Sequence, residues 1–173
     1  MVKTYKGRYI VKDKAKYRGD SSNVIYRSSW ERAVCNFLDN SKDVARWSSE
    51  EVIIDYTCAT DRKRHRYFVD FLAEMTDGST ILIEVKPAKE TKQPTNVKGR
   101  PKARVLQEAA TYAKNLSKWA AADKYCETRG WDFQIWTEDV LKAKGILPKD
   151  LGNKPFKPIG KLPAYRKPKR AGK

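Results

Sequence analysis

The sequence predicts a mixed α/β domain in which helices pack against a central sheet of four strands. Two observations lead to this prediction. Two segments space their apolar residues as helices do, and four segments have the composition and alternation of strands. These elements follow one another as helix, three strands, helix, strand and helix, an order typical of a layered α/β domain. A chain of 173 residues is long enough to bury a core.

The first predicted helix covers residues 29–39 and follows Ser28, a good N-cap. Its apolar residues recur three and four positions apart, which is the spacing of a buried stripe. We therefore expect one face of this helix to pack on the sheet. The stripe consists of Trp30, Ala33, Val34, Phe37 and Leu38.

Strands are predicted at residues 51–57, at 64–74 and at 79–86, with the turn Thr-Asp-Gly between the last two. A long helix is predicted at residues 102–126, beginning just after a proline. A glycine then precedes a fourth strand, WDFQIW. The last predicted element is a short helix at residues 138–144.

The Thr-Asp-Gly turn fixes which residues face each other on its two strands. A glycine in third place suits a three-residue hairpin loop, and this loop pairs Met75 with Ser79. Counting back along both strands pairs Asp70 with Glu84. A two-residue Asp-Gly loop is the alternative, and it would separate these two acids onto opposite faces.

We prefer the three-residue loop because it gives a consistent apolar face. Strand alternation then places Asp70, Glu84 and Lys86 together on one face of the sheet. The other face is expected to belong to the core. That apolar face consists of Val69, Phe71, Ile81, Ile83 and Val85.

Two carboxylates that face each other repel, and a divalent cation removes this cost. Oxygen ligands suit Mg²⁺ or Mn²⁺, which would bind a phosphodiester and lower the pKa of a water molecule. Lys86 would then position or deprotonate the attacking water, or neutralise charge in the transition state. The alternative is a solvated sheet face with a Glu-Lys pair. The very basic chain favours the metal site.

Glu31 is a third candidate ligand, because it borders the buried stripe of the first helix. It also stands three residues after Ser28, which is the spacing of a capping box. An acid in the first turn favours the helix dipole as well. From the residues alone, capping is the better-supported role.

The charge balance points to a polyanionic partner. The chain has 37 Lys and Arg against 21 Asp and Glu, a net charge of +16. Nucleic acid is the first candidate, although an anionic membrane surface or an acidic protein would also account for the charge. We expect no membrane association, since no segment is apolar enough to span a bilayer or to serve as a secretory signal.

Four basic residues are candidates for contacts with nucleic acid: Arg27, Arg66, Lys102 and Arg104. A solvated cation explains each of them equally well. The three cysteines, odd in number and far apart, fit neither a disulfide framework nor a zinc cluster. A single histidine excludes a His-rich metal site, and a reducing cytoplasm is the expected place of synthesis.

Composition divides the chain into three parts. Residues 1–25 are predicted to be a basic N-terminal arm, and residues 26–147 the folded domain. Residues 148–173 hold five of the eight prolines and nine basic residues against one acid. This segment is either an extended arm that contacts phosphates or a solvated terminus.

The segments YFVDF and ILIEVKP resemble the core motif of the PD-(D/E)XK nuclease superfamily. The resemblance implies a restriction-endonuclease-like core with a central mixed four-stranded sheet. It also implies that Asp70 and Glu84 bind Mg²⁺, with Mn²⁺ able to substitute, and that Lys86 is the catalytic lysine. Val69 stands where the motif's name has proline. Relatives often add a helix glutamate, and the segment YRSSWE puts Glu31 in that role.

Residues 15–137 resemble most closely the head-completion nucleases of tailed bacteriophages, and less closely the TnsA-like transposon-end endonucleases. This implies a Mg²⁺-dependent endonuclease that trims or cuts double-stranded DNA as a filled head is finished. The implied partners are phage head or neck proteins. The implied locations are the host cytoplasm and the virion.

Two other functions remain open. One is a transposon-end or junction-cutting endonuclease on the same fold. The other is a DNA-binding virion protein without catalysis. The intact set of Asp70, Glu84 and Lys86 argues against the second.

Overall fold

The computed structural model of the protein describes residues 6–95 and 99–148. Within them, four strands form a mixed sheet: β3 (Val44–Ser49), β6 (Phe71–Met75), β7 (Thr80–Val85) and β8 (Asp132–Trp136). They lie in the order β3-β6-β7-β8. The first three strands pair antiparallel, and β8 runs parallel to β7. The predicted fold class is therefore confirmed.

The strands that make up the sheet differ from the prediction. The predicted strand at residues 51–57 lies outside the sheet, where β4 (Ile53–Thr57) pairs with β5 (Arg64–Phe68) in a separate hairpin. The edge position belongs instead to β3, which was not predicted. A bulge and three polar residues interrupt the alternation of β3, so its sequence lacks a strand signal.

The turn between β6 and β7 has the predicted geometry. The Met75 amide donates to the carbonyl of Ser79 at 2.8 Å, and Gly78 has a φ of 88°. This left-handed conformation is one that glycine adopts without strain. The three-residue loop is confirmed, and the register that it sets continues to the pair Phe71 and Ile83.

The three predicted helices are present, and their bounds agree within one residue at every end. They are α1 (Ser29–Asn40), α2 (Lys102–Glu127) and α3 (Glu138–Ala143). A short 3₁₀ helix, Ala88–Glu90, follows β7. The hydroxyl of Ser28 caps α1 by accepting from the Glu31 amide at 3.1 Å.

The sheet is buried on both faces, which corrects the prediction of one core face and one polar face. Ala73 and Ile83 belong to a first cluster that includes residues of α1. Leu72 and Leu82 belong to a second cluster, together with residues of the β4–β5 hairpin and of α2. The prediction was wrong because the hairpin and α2 cover the face on which the acids lie.

Val69 also differs from its predicted place, since it joins the second cluster rather than lying beside Phe71 in the first. The predicted strand at residues 64–74 divides between β5 and β6, and the backbone bends at Asp70. Alternation therefore restarts after the bend. Phe71, Ile83 and Val85 do share the first cluster, as predicted.

Part of the predicted N-terminal arm is packed on the domain. Two short strands pair there, β1 (Gly7–Arg8) with β2 (Ile25–Tyr26), and Tyr17 packs edge-on against Trp47. Apart from Pro148, the predicted tail lies outside the described residues. The boundaries of the arm, domain and tail stay predictions. None of the described helices has both the length and the apolar character needed to cross a membrane.

Replacing Leu82 with alanine is expected to cost about 2–5 kcal/mol of unfolding free energy, because Leu82 is fully buried in the second cluster. The matched control is Leu106→Ala on α2, where the side chain is 73% exposed. That change should stay within about 0.5 kcal/mol. Urea denaturation measures both. Equal losses would contradict a core on this face of the sheet.

Candidate active site

Asp70 lies at the bend between β5 and β6, where its backbone carbonyl and its side chain both accept hydrogen bonds. Its carbonyl accepts a hydrogen bond from the Glu50 amide at 3.1 Å. Its carboxylate oxygen Oδ2 accepts from the Val85 amide on β7 at 2.7 Å. The side chain therefore spans from the end of the hairpin to the central sheet, close to Glu84.

Glu84 is almost fully buried, with 2% of its surface exposed. Its two carboxylate oxygens have different partners. The Tyr67 hydroxyl donates to Oε2 at 2.6 Å, and the Lys86 ammonium lies 3.2 Å from Oε1. The structure thus brings Asp70, Glu84 and Lys86 together at one place on the sheet.

Two acids in this position affect each other strongly. Burial raises the pKa of Asp70 well above its usual value, and the negative charge of Glu84 raises it further. The Val85 amide and the Lys86 charge act in the opposite direction but do not outweigh these effects. A pair of hard oxygen donors with an excess of negative charge fits a divalent cation such as Mg²⁺ or Mn²⁺.

Two lysines surround the acidic pair. Burial alone would lower the pKa of Lys86, but the attraction of Glu84 and Asp70 reverses the direction and raises it. Lys118 on α2 is half-buried, and its pKa is lowered, mainly by burial. Its ammonium lies 5.2 Å from the centre of the Tyr67 ring. The site therefore has a second cation, Lys118, which the sequence analysis did not select.

Glu31 takes part in the capping box that its spacing predicts. Its carboxylate accepts from the Ser28 hydroxyl at 2.9 Å and from the Arg27 amide at 2.7 Å. Its charge is also near enough to contribute to the raised pKa of Asp70, after burial and Glu84. Capping is thus observed, and metal binding by Glu31 stays a prediction.

The four basic candidates for DNA contacts lie in different settings. Arg27 donates two hydrogen bonds of 2.9 Å to Glu50, which holds its guanidinium in place. The guanidinium of Arg66 lies 5.1 Å from the centre of the Phe68 ring on the outer face of the hairpin. Lys102 and Arg104 are exposed in the first turn of α2. The contacts of all four residues with DNA stay predictions.

Another group of ligand-type side chains lies at the tip of the β4–β5 hairpin. The ligand atoms of Cys58, Asp61 and His65 all lie within 4.8 Å of one another. The sequence analysis compared the cysteines only with one another and considered the single histidine only for a His-rich site, so it missed this Cys-x₂-Asp-x₃-His spacing. Local contacts already account for the group, since Asp61 accepts from the Lys63 amide and pairs with His65 at 2.8 Å.

The sequence analysis also missed Tyr67, whose hydroxyl contacts Glu84 of the acidic pair. It stands three residues before Asp70, and strand alternation would place the two on opposite faces. The bend at Asp70 removes this alternation. A signal for the bend is absent from the sequence, because YFVDF has the composition of a continuous strand.

Asp70→Asn is expected to stabilise the metal-free protein, because the amide removes a charge that burial and Glu84 oppose. A gain of about 1 kcal/mol would raise the melting temperature by about 2–4 °C. Thermal unfolding in EDTA at neutral pH measures the change. Asp77→Asn is the control, since Ser79 holds the pKa of that exposed acid below its usual value and its neutralisation should not stabilise. Destabilisation by Asp70→Asn would contradict the repulsion.

Comparison with known proteins supplies the family. The family model "TnsA-like endonuclease N terminal" matches residues 41–138, which include all four strands of the central sheet and the residues Asp70, Glu84 and Lys86. A relative described as "Head completion nuclease", from Enterobacteria phage T4, is 38% identical over 145 residues. The alignment covers 82% of this chain and 97% of that protein. The chain therefore belongs to the TnsA-like endonuclease family.

Proposed function

We propose that the protein is a metal-dependent endonuclease that hydrolyses phosphodiester bonds of double-stranded DNA during phage head completion. One observation carries the catalytic part of this proposal. Asp70 and Glu84 lie together in a largely buried place. The raised pKa of Asp70 shows that ionising both acids there is unfavourable. Fold stability gives no reason to pair these acids, whereas metal binding does.

Mg²⁺ is the proposed ion, with Mn²⁺ able to substitute, and Asp70 and Glu84 are its proposed ligands. Both are hard oxygen donors, as these ions prefer. When bound, the ion supplies Lewis-acid polarisation of the phosphodiester and lowers the pKa of a nearby water. The Val85 amide orients Asp70 through Oδ2, so the other oxygen of that carboxylate remains available.

Lys86 is proposed to stabilise the charge that develops on the phosphate and to position the attacking water. Its ammonium is already oriented by Glu84 at 3.2 Å, and Lys86 follows Glu84 by two residues. An ammonium has three donors and no acceptor, so it can contact Glu84 and a phosphate oxygen at the same time. This arrangement is prepared before substrate binds, as electrostatic catalysis requires.

The role in head completion rests on the T4 relative, whose printed name is "Head completion nuclease" and which this chain matches over 97% of its length. We propose the same role for this chain, with phage head or neck proteins as partners. The host cytoplasm and the virion are the proposed locations. The net charge of +16 supports DNA as the substrate.

Lys86→Met is expected to lower kcat for plasmid cleavage by at least about 100-fold, because it removes a preorganised charge at the phosphate. Lys42→Met is the matched control: it removes the same charge from an exposed lysine outside the site and should cleave at the wild-type rate. Rates are measured with Mg²⁺, with Mn²⁺ and with EDTA. If the wild type binds DNA but does not cut it under any of these conditions, the non-catalytic virion protein becomes the better reading.

Glu31→Gln separates the two roles of Glu31. Glutamine also completes a capping box, so stability should change by less than about 0.5 kcal/mol. We also propose Glu31 as a third metal ligand, so cleavage should fall by about tenfold or more in this variant. Ser28→Ala removes the hydroxyl that caps α1 and should cost about 0.5–2 kcal/mol, which shows that the stability assay detects loss of the cap. Full cleavage by Glu31→Gln would leave capping as the role of Glu31.

A further inference from the structure

We propose that Tyr67 is a positioning residue for the metal site: its hydroxyl holds one oxygen of Glu84 and so presents the other to the metal. This inference rests on the proposed function, because it assigns Glu84 as a metal ligand. It concerns a residue outside the Asp…Glu-x-Lys motif. Tyr67 acts through Glu84 and touches neither DNA nor the metal.

The hydrogen bond between the two side chains is short and shielded from water. The Tyr67 hydroxyl donates to Oε2 of Glu84 at 2.6 Å, and each residue has 2% of its surface exposed. The phenol is the donor because an ionised carboxylate only accepts. A buried carboxylate oxygen without a donor is costly, so Oε2 has a strong reason to stay with Tyr67.

This contact makes the two oxygens of Glu84 unequal. Oε2 is bound to Tyr67, while Oε1 lies 3.2 Å from the ammonium of Lys86. Oε1 is therefore the oxygen on the side of the catalytic lysine, where a metal and a phosphate are needed. Fixing Oε2 sets the rotation of the carboxylate, which is how an outer hydrogen bond orients a metal ligand.

The Tyr67 ring is itself held from several directions. The Lys118 ammonium lies 5.2 Å from its centre, a cation–π distance, and the Tyr56 ring packs edge-on at 6.4 Å. The backbone of Tyr67 pairs with Ile54 in the hairpin. The hydroxyl thus has little freedom to leave Glu84, so the hairpin works as a rigid support for a ligand on the central sheet.

The decisive variant is Tyr67→Phe, which removes the hydroxyl and keeps the ring. The control is Tyr56→Phe, which removes a hydroxyl from the neighbouring buried tyrosine of the same hairpin. Mn²⁺ binding by calorimetry is measured on both proteins, together with the Mg²⁺ dependence of plasmid cleavage. Circular dichroism and thermal unfolding check that both are folded.

Tyr67→Phe is expected to weaken Mn²⁺ binding by about 10- to 100-fold and to raise the Mg²⁺ concentration for half-maximal cleavage similarly. At saturating Mg²⁺ kcat should also fall, while KM for DNA stays unchanged because Tyr67 does not contact DNA. Tyr56→Phe should match the wild type. A purely structural role would lower thermal stability without moving the metal dependence.

A folded Tyr67→Phe variant with wild-type Mn²⁺ affinity would overturn the proposal, whatever its cleavage rate. This outcome is distinct from failure of the proposed function. If the wild type cuts no DNA yet binds Mn²⁺ more tightly than Tyr67→Phe, the positioning role holds and the nuclease assignment fails. If the wild type does not bind Mn²⁺ at all, both fail.

Discussion

The pairing register between β6 and β7 is the constraint on which the site depends. The three-residue turn that ends at Gly78 sets this register, and its left-handed backbone favours glycine. A shift of one residue would exchange the two faces of β7, moving Glu84 away from Asp70 and placing Leu82 and Ile83 in the wrong hydrophobic clusters. The hydrophobic clusters on both faces therefore enforce the same register as the turn. Core packing and catalytic geometry are specified together.

The bend at Asp70 allows the two acids of the site to receive hydrogen bonds from both the hairpin and the sheet. A straight strand would continue the alternation and carry Tyr67 away from the acids. Because the chain leaves the hairpin and enters the sheet at Asp70, the hairpin contributes the Tyr67 hydroxyl and the sheet contributes the Val85 amide. The Val85 amide thus donates to Asp70, and the Tyr67 hydroxyl joins the Lys86 ammonium as a partner of Glu84, although the repulsion between the two acids remains. Such a residual cost in stability is common where residues are arranged for function.

Local patterns predicted the parts of the fold that local interactions determine. Apolar spacing predicted the helices, and the glycine in the turn predicted the register that brings Asp70 close to Glu84, although the ladder itself ends at the pair Phe71 and Ile83. The strand β3 was not predictable in this way, because a bulge and three polar residues erase its alternation and its partner β6 is distant in sequence. The prediction that residues 51–57 belong to the central sheet was wrong for a related reason. Strand propensity identifies extended segments, but it does not say which segment pairs with which.

Glu31 shows why residue type and spacing alone left two roles open. The capping box uses one contact on each of its oxygens, from the Ser28 hydroxyl and from the Arg27 amide. An ionised carboxylate has about four acceptor sites, so both contacts leave room for a further partner. The negative charge of Glu31 also contributes to the raised pKa of Asp70. Capping and metal binding are therefore compatible: the cap fixes the start of α1 and, with it, the position from which Glu31 approaches the acidic pair.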